Sequence, residues 1–81
     1  MKTVIKLFAR ARDLVGASTV ELDLSESATV ADLRVALGER YPNLRPLVAN
    51  LLVSVGTDYA APTSVIAGRK DVACFPPVSG G

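Results

Sequence analysis

The sequence predicts one α+β domain, a mixed β-sheet covered on one face by a single long helix. Three observations carry that reading. Two segments near the start have strand composition, the stretch from Val30 to Tyr41 has the apolar spacing of a helix, and further strand-like segments follow it. The chain has 81 residues, one domain's worth. At that size only about 60% of the unfolded surface can be buried, so the core is small.

Each element follows from its residues. Thr3-Val4-Ile5-Lys6-Leu7-Phe8 is rich in β-branched and aromatic residues and reads as a first strand, buried on much of both faces. Ala9 to Val15 suits a short helical turn stopped by Gly16. Ser18 to Leu24 alternates polar and apolar residues, the period of a half-exposed strand with Val20, Leu22 and Leu24 inward. It pairs with the first strand as a hairpin. Thr29 then caps a helix, with Asp32 three residues on as a variant of the capping box. Val30, Leu33, Leu37 and Tyr41 share one helix face with Ala36 beside them. Gly38 weakens the last turns by about 1 kcal/mol relative to Ala, and Pro42 ends the helix at Tyr41.

The connection from Leu44 to Leu51 holds Pro46 and reads as irregular or briefly helical. Leu52-Val53-Ser54-Val55 is a third strand, followed by a turn at Gly56-Thr57-Asp58 and a short return at Tyr59-Ala60. Pro62-Thr63-Ser64 is loop, Gly68 marks a turn, and Asp71 to Phe75 is the last strand. Pro76-Pro77 ends it, because neither residue has an N–H for a ladder. A hairpin, a long helix and further strands in that order make a β-grasp fold. The domain is expected over residues 1–75, with residues 76–81 as a flexible tail.

Composition removes several functions. Hydrophobic residues make up 49%, too many for a disordered chain. No apolar run nears the ~18 residues of a membrane span, and Lys6 interrupts any signal-peptide core. A single cysteine forms no internal disulfide, so the cytoplasm is the expected location. Nine basic and eight acidic residues nearly balance, with no basic stripe for nucleic acid. There is no histidine, so neither a Ser-His nor a Cys-His nucleophile system can be assembled from this chain, nor a Cys/His zinc site. Any catalysis it joins must draw most of its machinery from a partner.

The candidate site is the end of the chain. The bland reading of Gly80-Gly81 is a frayed terminus or a cloning scar. Against that, Pro76-Pro77 stiffens the exit from the last strand, and the six residues from Pro76 reach at most ~20 Å. Small residues let a partner's backbone and a nucleotide approach the terminal carboxylate without a Cβ in the way. A stiff base with a small tip suits a probe entering a narrow channel.

Phe75-Pro76-Pro77-Val78-Ser79-Gly80-Gly81 resembles the signature of the molybdopterin synthase small-subunit family, ubiquitin-like sulfur carriers of molybdenum-cofactor synthesis. Leu7 to Gly16 (LFARARDLVG) resembles that family's N-terminal motif, and Ala28-Thr29-Val30-Ala31-Asp32-Leu33 with Arg40-Tyr41-Pro42 resembles its helix. The resemblance covers the whole chain. A bare Gly-Gly also fits thiamine-pathway sulfur carriers and ubiquitin-like modifiers. The sequence departs from the family at Gly56-Thr57-Asp58, where an Asn-containing turn is usual, and at Arg69-Lys70, which makes an acidic lip partly basic.

The resemblance implies a chemistry in which the carrier is a sulfur-donating subunit rather than a catalyst alone. A ubiquitin-activating-like adenylyltransferase activates the carboxylate of Gly81 with ATP and Mg²⁺, neither of them a cofactor bound by this chain. A sulfur donor converts the adenylate to a thiocarboxylate, and the large subunit of the synthase, in a heterotetramer, holds the tail at a cyclic pterin precursor. Gly80 and Gly81 are then the reacting end, and Phe75, Pro76, Pro77, Val78, Ser79, Phe8 and Arg12 contact the partner. Each contact has a plainer reading. Phe8 and Phe75 suit a core, and Arg12 suits a solvated charge. Cys74 alternates with Val72 onto one strand face and reads as a small buried hydrophobe. Two other functions stay open: a protein modifier joined through Gly81 to lysines, and an interaction module whose tail is incidental.

Overall fold

The computed structural model describes residues 1–77; Val78, Ser79, Gly80 and Gly81, and with them most of the expected tail, lie outside the described residues. The elements are β1 (Lys2–Leu7), α1 (Ala9–Val15), β2 (Thr19–Asp23), α2 (Val30–Arg40), a 3₁₀ turn (Pro42–Leu44), α3 (Arg45–Val48), β3 (Leu52–Val55), β4 (Asp58–Tyr59) and β5 (Val72–Phe75). The strands form one sheet in the order β2-β1-β5-β3-β4. β1 and β5 run parallel at its centre, and the other three pairings are antiparallel. This is a mixed five-stranded β-grasp sheet with its helix on one face. β1 and β2 do pair as expected, but α1 stands between them where a hairpin turn would be.

Alternation along the strands sorts the chain into two faces. Ile5, Leu7, Val20, Leu22, Leu24, Val53, Val72 and Cys74 point inward and meet Val30, Leu33 and Leu37 of α2, with Leu44, Leu51 and Ile66 closing the ends of the core. Ile5, Leu33 and Leu37 are wholly buried. The first strand is corrected in two respects. Only Thr3, Ile5 and Leu7 are buried; Lys2 and Lys6 are exposed and Val4 is half-buried. Among the described residues no element covers the sheet's other face, so one side of β1 stays open. The strand also ends at Leu7, and Phe8 precedes α1.

Local chemistry explains the boundaries. The Thr29 hydroxyl accepts from the Asp32 N–H while the Asp32 carboxylate accepts from the Thr29 N–H at 2.9 Å, a complete capping box. The loop before β5 also serves this helix end: the Val30 and Ala31 N–H groups donate to the carbonyls of Ser64 and Pro62. Those donors would otherwise have no partner in the helix. α2 ends one residue before Tyr41, whose N–H closes the last turn on the Leu37 carbonyl. Gly38 is buried, and its carbonyl accepts from Arg45 Nε at 3.0 Å, which ties α3 back onto α2.

Gly16 ends α1 at φ +83, the left-handed region where a side chain is costly. Gly56, at φ +63, is the first of two residues linking β3 to β4, the place of the glycine in a type II′ hairpin turn. The Gly-Thr pair thus does the work of an Asn-containing turn by another route. Thr3 is the one buried polar residue among those described, and its hydroxyl accepts from the Gly68 N–H at 2.9 Å, locking β1 to the turn that leads into β5.

Candidate functional site

Chain exit and open sheet face coincide. Cys74 is inward, so its neighbour Phe75 is outward, in register with Leu52 of β3. The Phe8 N–H donates to the Cys74 carbonyl at 3.2 Å and extends the parallel ladder by one bond beyond β1. That bond places the Phe8 ring beside Phe75, edge to face, with centroids 6.2 Å apart. From the other flank Tyr59 of β4, in register with Ser54, also meets Phe75 edge to face at 6.0 Å. Phe75 is therefore the centre of a row of three rings. Pro76 and Pro77 leave the sheet directly from it.

The chain has only two phenylalanines, two tyrosines and no tryptophan. Three of these four rings lie in the row, while the buried core is aliphatic. Phe8 is 45% exposed, Tyr59 71% and Leu52 36%. Exposed single hydrophobes need no explanation, but a contiguous aromatic row does. Rings held edge to face are already ordered, so a partner meets them without much loss of rotamer freedom.

Ala9 adds a backbone feature. Its φ of +52 puts a non-glycine residue in the left-handed region, at a cost of roughly 1–2 kcal/mol. The reversal occurs immediately after Phe8 and lets the chain turn into α1 while Phe8 stays on the open face. Arg12 stands one helical turn from Phe8, to whose carbonyl its N–H donates at 3.4 Å, and its exposed guanidinium lies 3.8 Å from Asp13. The structure thus brings Phe8, Phe75, Pro76, Pro77 and Arg12 to one end of the molecule. Val78, Ser79, Gly80 and Gly81 lie outside the described residues.

The sequence does not single out Tyr59, which reads only as part of a short return strand. The one signal was its type: an aromatic in a two-residue strand beside a turn has no core to enter. The basic lip is also smaller than the sequence suggests. Arg69 forms a fork with Asp71, at 2.8 and 2.6 Å, so its charge is taken up locally. Hydrogen bonding to Arg69 holds the Asp71 carboxyl below its ordinary range. Lys70 remains as the lip's cation.

Cys74 is fully buried on the inner face. Burial pushes its thiol up to about 12, with the Arg34 charge opposing weakly. A thiol there is protonated at neutral pH and is a core side chain, as alternation implied, rather than a nucleophile. What this end of the molecule offers is contact area around the chain exit.

Comparison with known proteins agrees with the fold. The model of the ThiS family matches residues 5–81. A molybdopterin synthase sulfur carrier subunit of Arabidopsis thaliana is 27% identical, over 95% of this chain and 80% of that protein. Small archaeal modifier protein 1 of Haloferax volcanii is 34% identical, over 94% of this chain and 97% of the relative. The crystal structure of that archaeal species' SAMP1 superposes with a TM-score of 0.82 at 32% identity and covers both chains fully.

Proposed function

We propose, from the premise that this chain belongs to the ThiS family, that it is the sulfur carrier of molybdopterin synthesis, working through the carboxylate of Gly81. ThiS-family carriers interact with ubiquitin-activating-like enzymes. Here the carboxylate attacks the α-phosphate of ATP and releases pyrophosphate. A carboxylate is a poor acyl donor because its leaving group would be oxide; the mixed anhydride with AMP has a good one. A sulfur nucleophile displaces AMP and leaves a thiocarboxylate. Held by a larger synthase subunit, that sulfur attacks a cyclic pterin precursor, water cleaves the acyl–sulfur bond and returns the Gly81 carboxylate, and two such transfers build a dithiolene. Confinement at the acceptor supplies the proximity that free sulfide lacks.

The aromatic row carries the docking part of this reading. Phe8, Phe75 and Tyr59 surround the point at which the chain leaves β5. A partner seated there receives Pro76-Pro77 already aimed and the last residues within ~20 Å. The ending Phe75-Pro76-Pro77-Val78-Ser79-Gly80-Gly81 favours the molybdopterin pathway over others that use a Gly-Gly terminus.

A second reading, a modifier joined through Gly81 to lysines of other proteins, is favoured by the 34% identity to the archaeal modifier. One experiment separates the two. The chain is incubated with ATP, Mg²⁺, its adenylating enzyme and sulfide, then divided between the synthase large subunit with pterin precursor and a lysate of its own cells. Intact mass spectrometry should show one oxygen replaced by sulfur on the peptide ending at Gly81, and loss of that sulfur in the first arm. Isopeptide adducts in the second arm with no turnover in the first support the modifier. A chain lacking Gly81 that still sulfurates pterin refutes both.

A further inference from the structure

We infer that Ala9 is a positioning residue for the docking face: its left-handed backbone holds Phe8 against Phe75 before any partner arrives. The inference rests on the reading that a partner docks around the chain exit. Among the described residues the positive-φ positions are Gly16, Gly56, Gly68 and Ala9. Three are glycines, for which that region carries no steric cost. Ala9, at φ +52, is the exception. It is also exposed, so burial of its own side chain does not offset the strain. Strain of this kind persists only where the surroundings impose it, and such positions gather at binding and catalytic sites.

The surroundings are the junction between sheet and helix. Phe8 belongs to both. Its backbone is extended, with φ −127 and ψ 157. Its N–H donates to the Cys74 carbonyl in the sheet, and its carbonyl accepts from the Arg12 N–H in α1. The change from ladder to helix is therefore made at Ala9. Little else fixes that joint. α1 has no side-chain cap and no acidic residue in its first turn, and the Arg12 bond is long at 3.4 Å. The Phe8 ring is 45% exposed and meets Phe75 edge to face.

Residue type decides how tightly such a joint is set. For alanine the left-handed region is a small island, so a backbone placed there has a narrow range. Glycine spreads over the left-handed and mirror-β regions alike. Alanine thus lowers local stability but sets the direction of the chain sharply, and that direction places the Phe8 ring. A partner then meets a ring already ordered and loses less in ordering it.

The test compares two variants of the full chain, Ala9→Gly and Ala9→Asn. Asparagine tolerates the left-handed region and keeps a Cβ. Both variants should leave the urea midpoint unchanged or raise it. They should differ at the joint. In Ala9→Gly the Phe8 amide should exchange hydrogen about threefold faster, and the nuclear Overhauser contact between the Phe8 and Phe75 rings should weaken. Its Kd for the proposed synthase large subunit should rise about threefold. Ala9→Asn should match the natural chain in all three measures. Unchanged exchange at Phe8 in Ala9→Gly overturns the inference. So does Ala9→Asn behaving like Ala9→Gly, or weaker binding that comes with a lower urea midpoint, which is plain destabilisation. Phe75→Ser serves as the reference. If it weakens binding and Ala9→Gly does not, the inference falls and the docking reading stands. If the natural chain does not bind, or Phe75→Ser binds equally well, the docking reading falls and takes the inference with it.

Discussion

The two faces of the sheet are made from the same strands and behave as different materials. Inward, residues such as Ile5, Leu22, Val53 and Cys74 interlock with Leu33 and Leu37 of α2, all aliphatic or small. Outward, one residue along in each strand, lie Lys2, Lys6, Ala73 and Ser54, with Phe8, Phe75 and Tyr59 gathered where the chain leaves. In a chain with four aromatic residues, keeping three off the core forgoes their large burial energy during folding. That area stays on the surface beside the chain exit. The difference teaches that apolar character alone does not mark a core: aliphatic residues at period 2 facing the helix build the fold, while aromatic residues on the face without a helix gather around the chain exit.

Truncation tests the inner face most severely. Leu37→Ala leaves a cavity at a fully buried position and should lower unfolding free energy by about 2–5 kcal/mol. Urea denaturation measures this, and a loss below about 1 kcal/mol would break the distinction between the faces.

A smaller, pH-dependent effect comes from Cys74. Its thiol titrates near 12 in the folded chain against an ordinary 9.0. Between those values the unfolded chain has released the proton and the folded chain has kept it. This group's contribution is therefore complete below about pH 9 and is lost as pH rises toward about 12. Denaturation midpoints from pH 7 to 11 should fall more steeply for the natural chain than for Cys74→Val, which removes the titrating group at similar volume. Parallel curves would mean that the thiol reaches water.

The outer face should show the smallest effect on stability and a large one on binding. Tyr59→Ser removes a 71% exposed ring at the end of the aromatic row. Unfolding free energy should move by no more than about 0.5 kcal/mol, while affinity for the proposed partner, a synthase large subunit, read by calorimetry, should fall about tenfold or more. An unchanged affinity would confine the docking face to Phe8 and Phe75.

Much of this was legible in the sequence where the signal is local. The Thr29-Asp32 capping box, the stop at Gly16, the inward set Val20, Leu22 and Leu24, and the burial of Cys74 beside Val72 each follow from spacing over a few residues. The departures concern what lies across from a segment in space. Thr3 to Phe8 reads as a strand buried on both sides because its composition is apolar, yet burial depends on what covers each face, and only one face has a helix. The Tyr59 contact with Phe75 joins residues sixteen apart through β3, which no short window can register.

By itself the sequence determined the element order, the aliphatic stripe of α2, the absence of histidine and the presence of the Gly80-Gly81 pair. These are properties of residue type and short-range spacing, and they survive any arrangement of the elements. Tertiary structure alone decided that β1 and β5 lie side by side in parallel, which sets Phe8 against Phe75 and puts the chain exit in the middle of an aromatic face. It also decided that the two edges of the sheet are the five-residue β2 and the two-residue β4. Strand order depends on pairings far apart in the chain, and their free energy lies in the burial they jointly create, which no single segment contains.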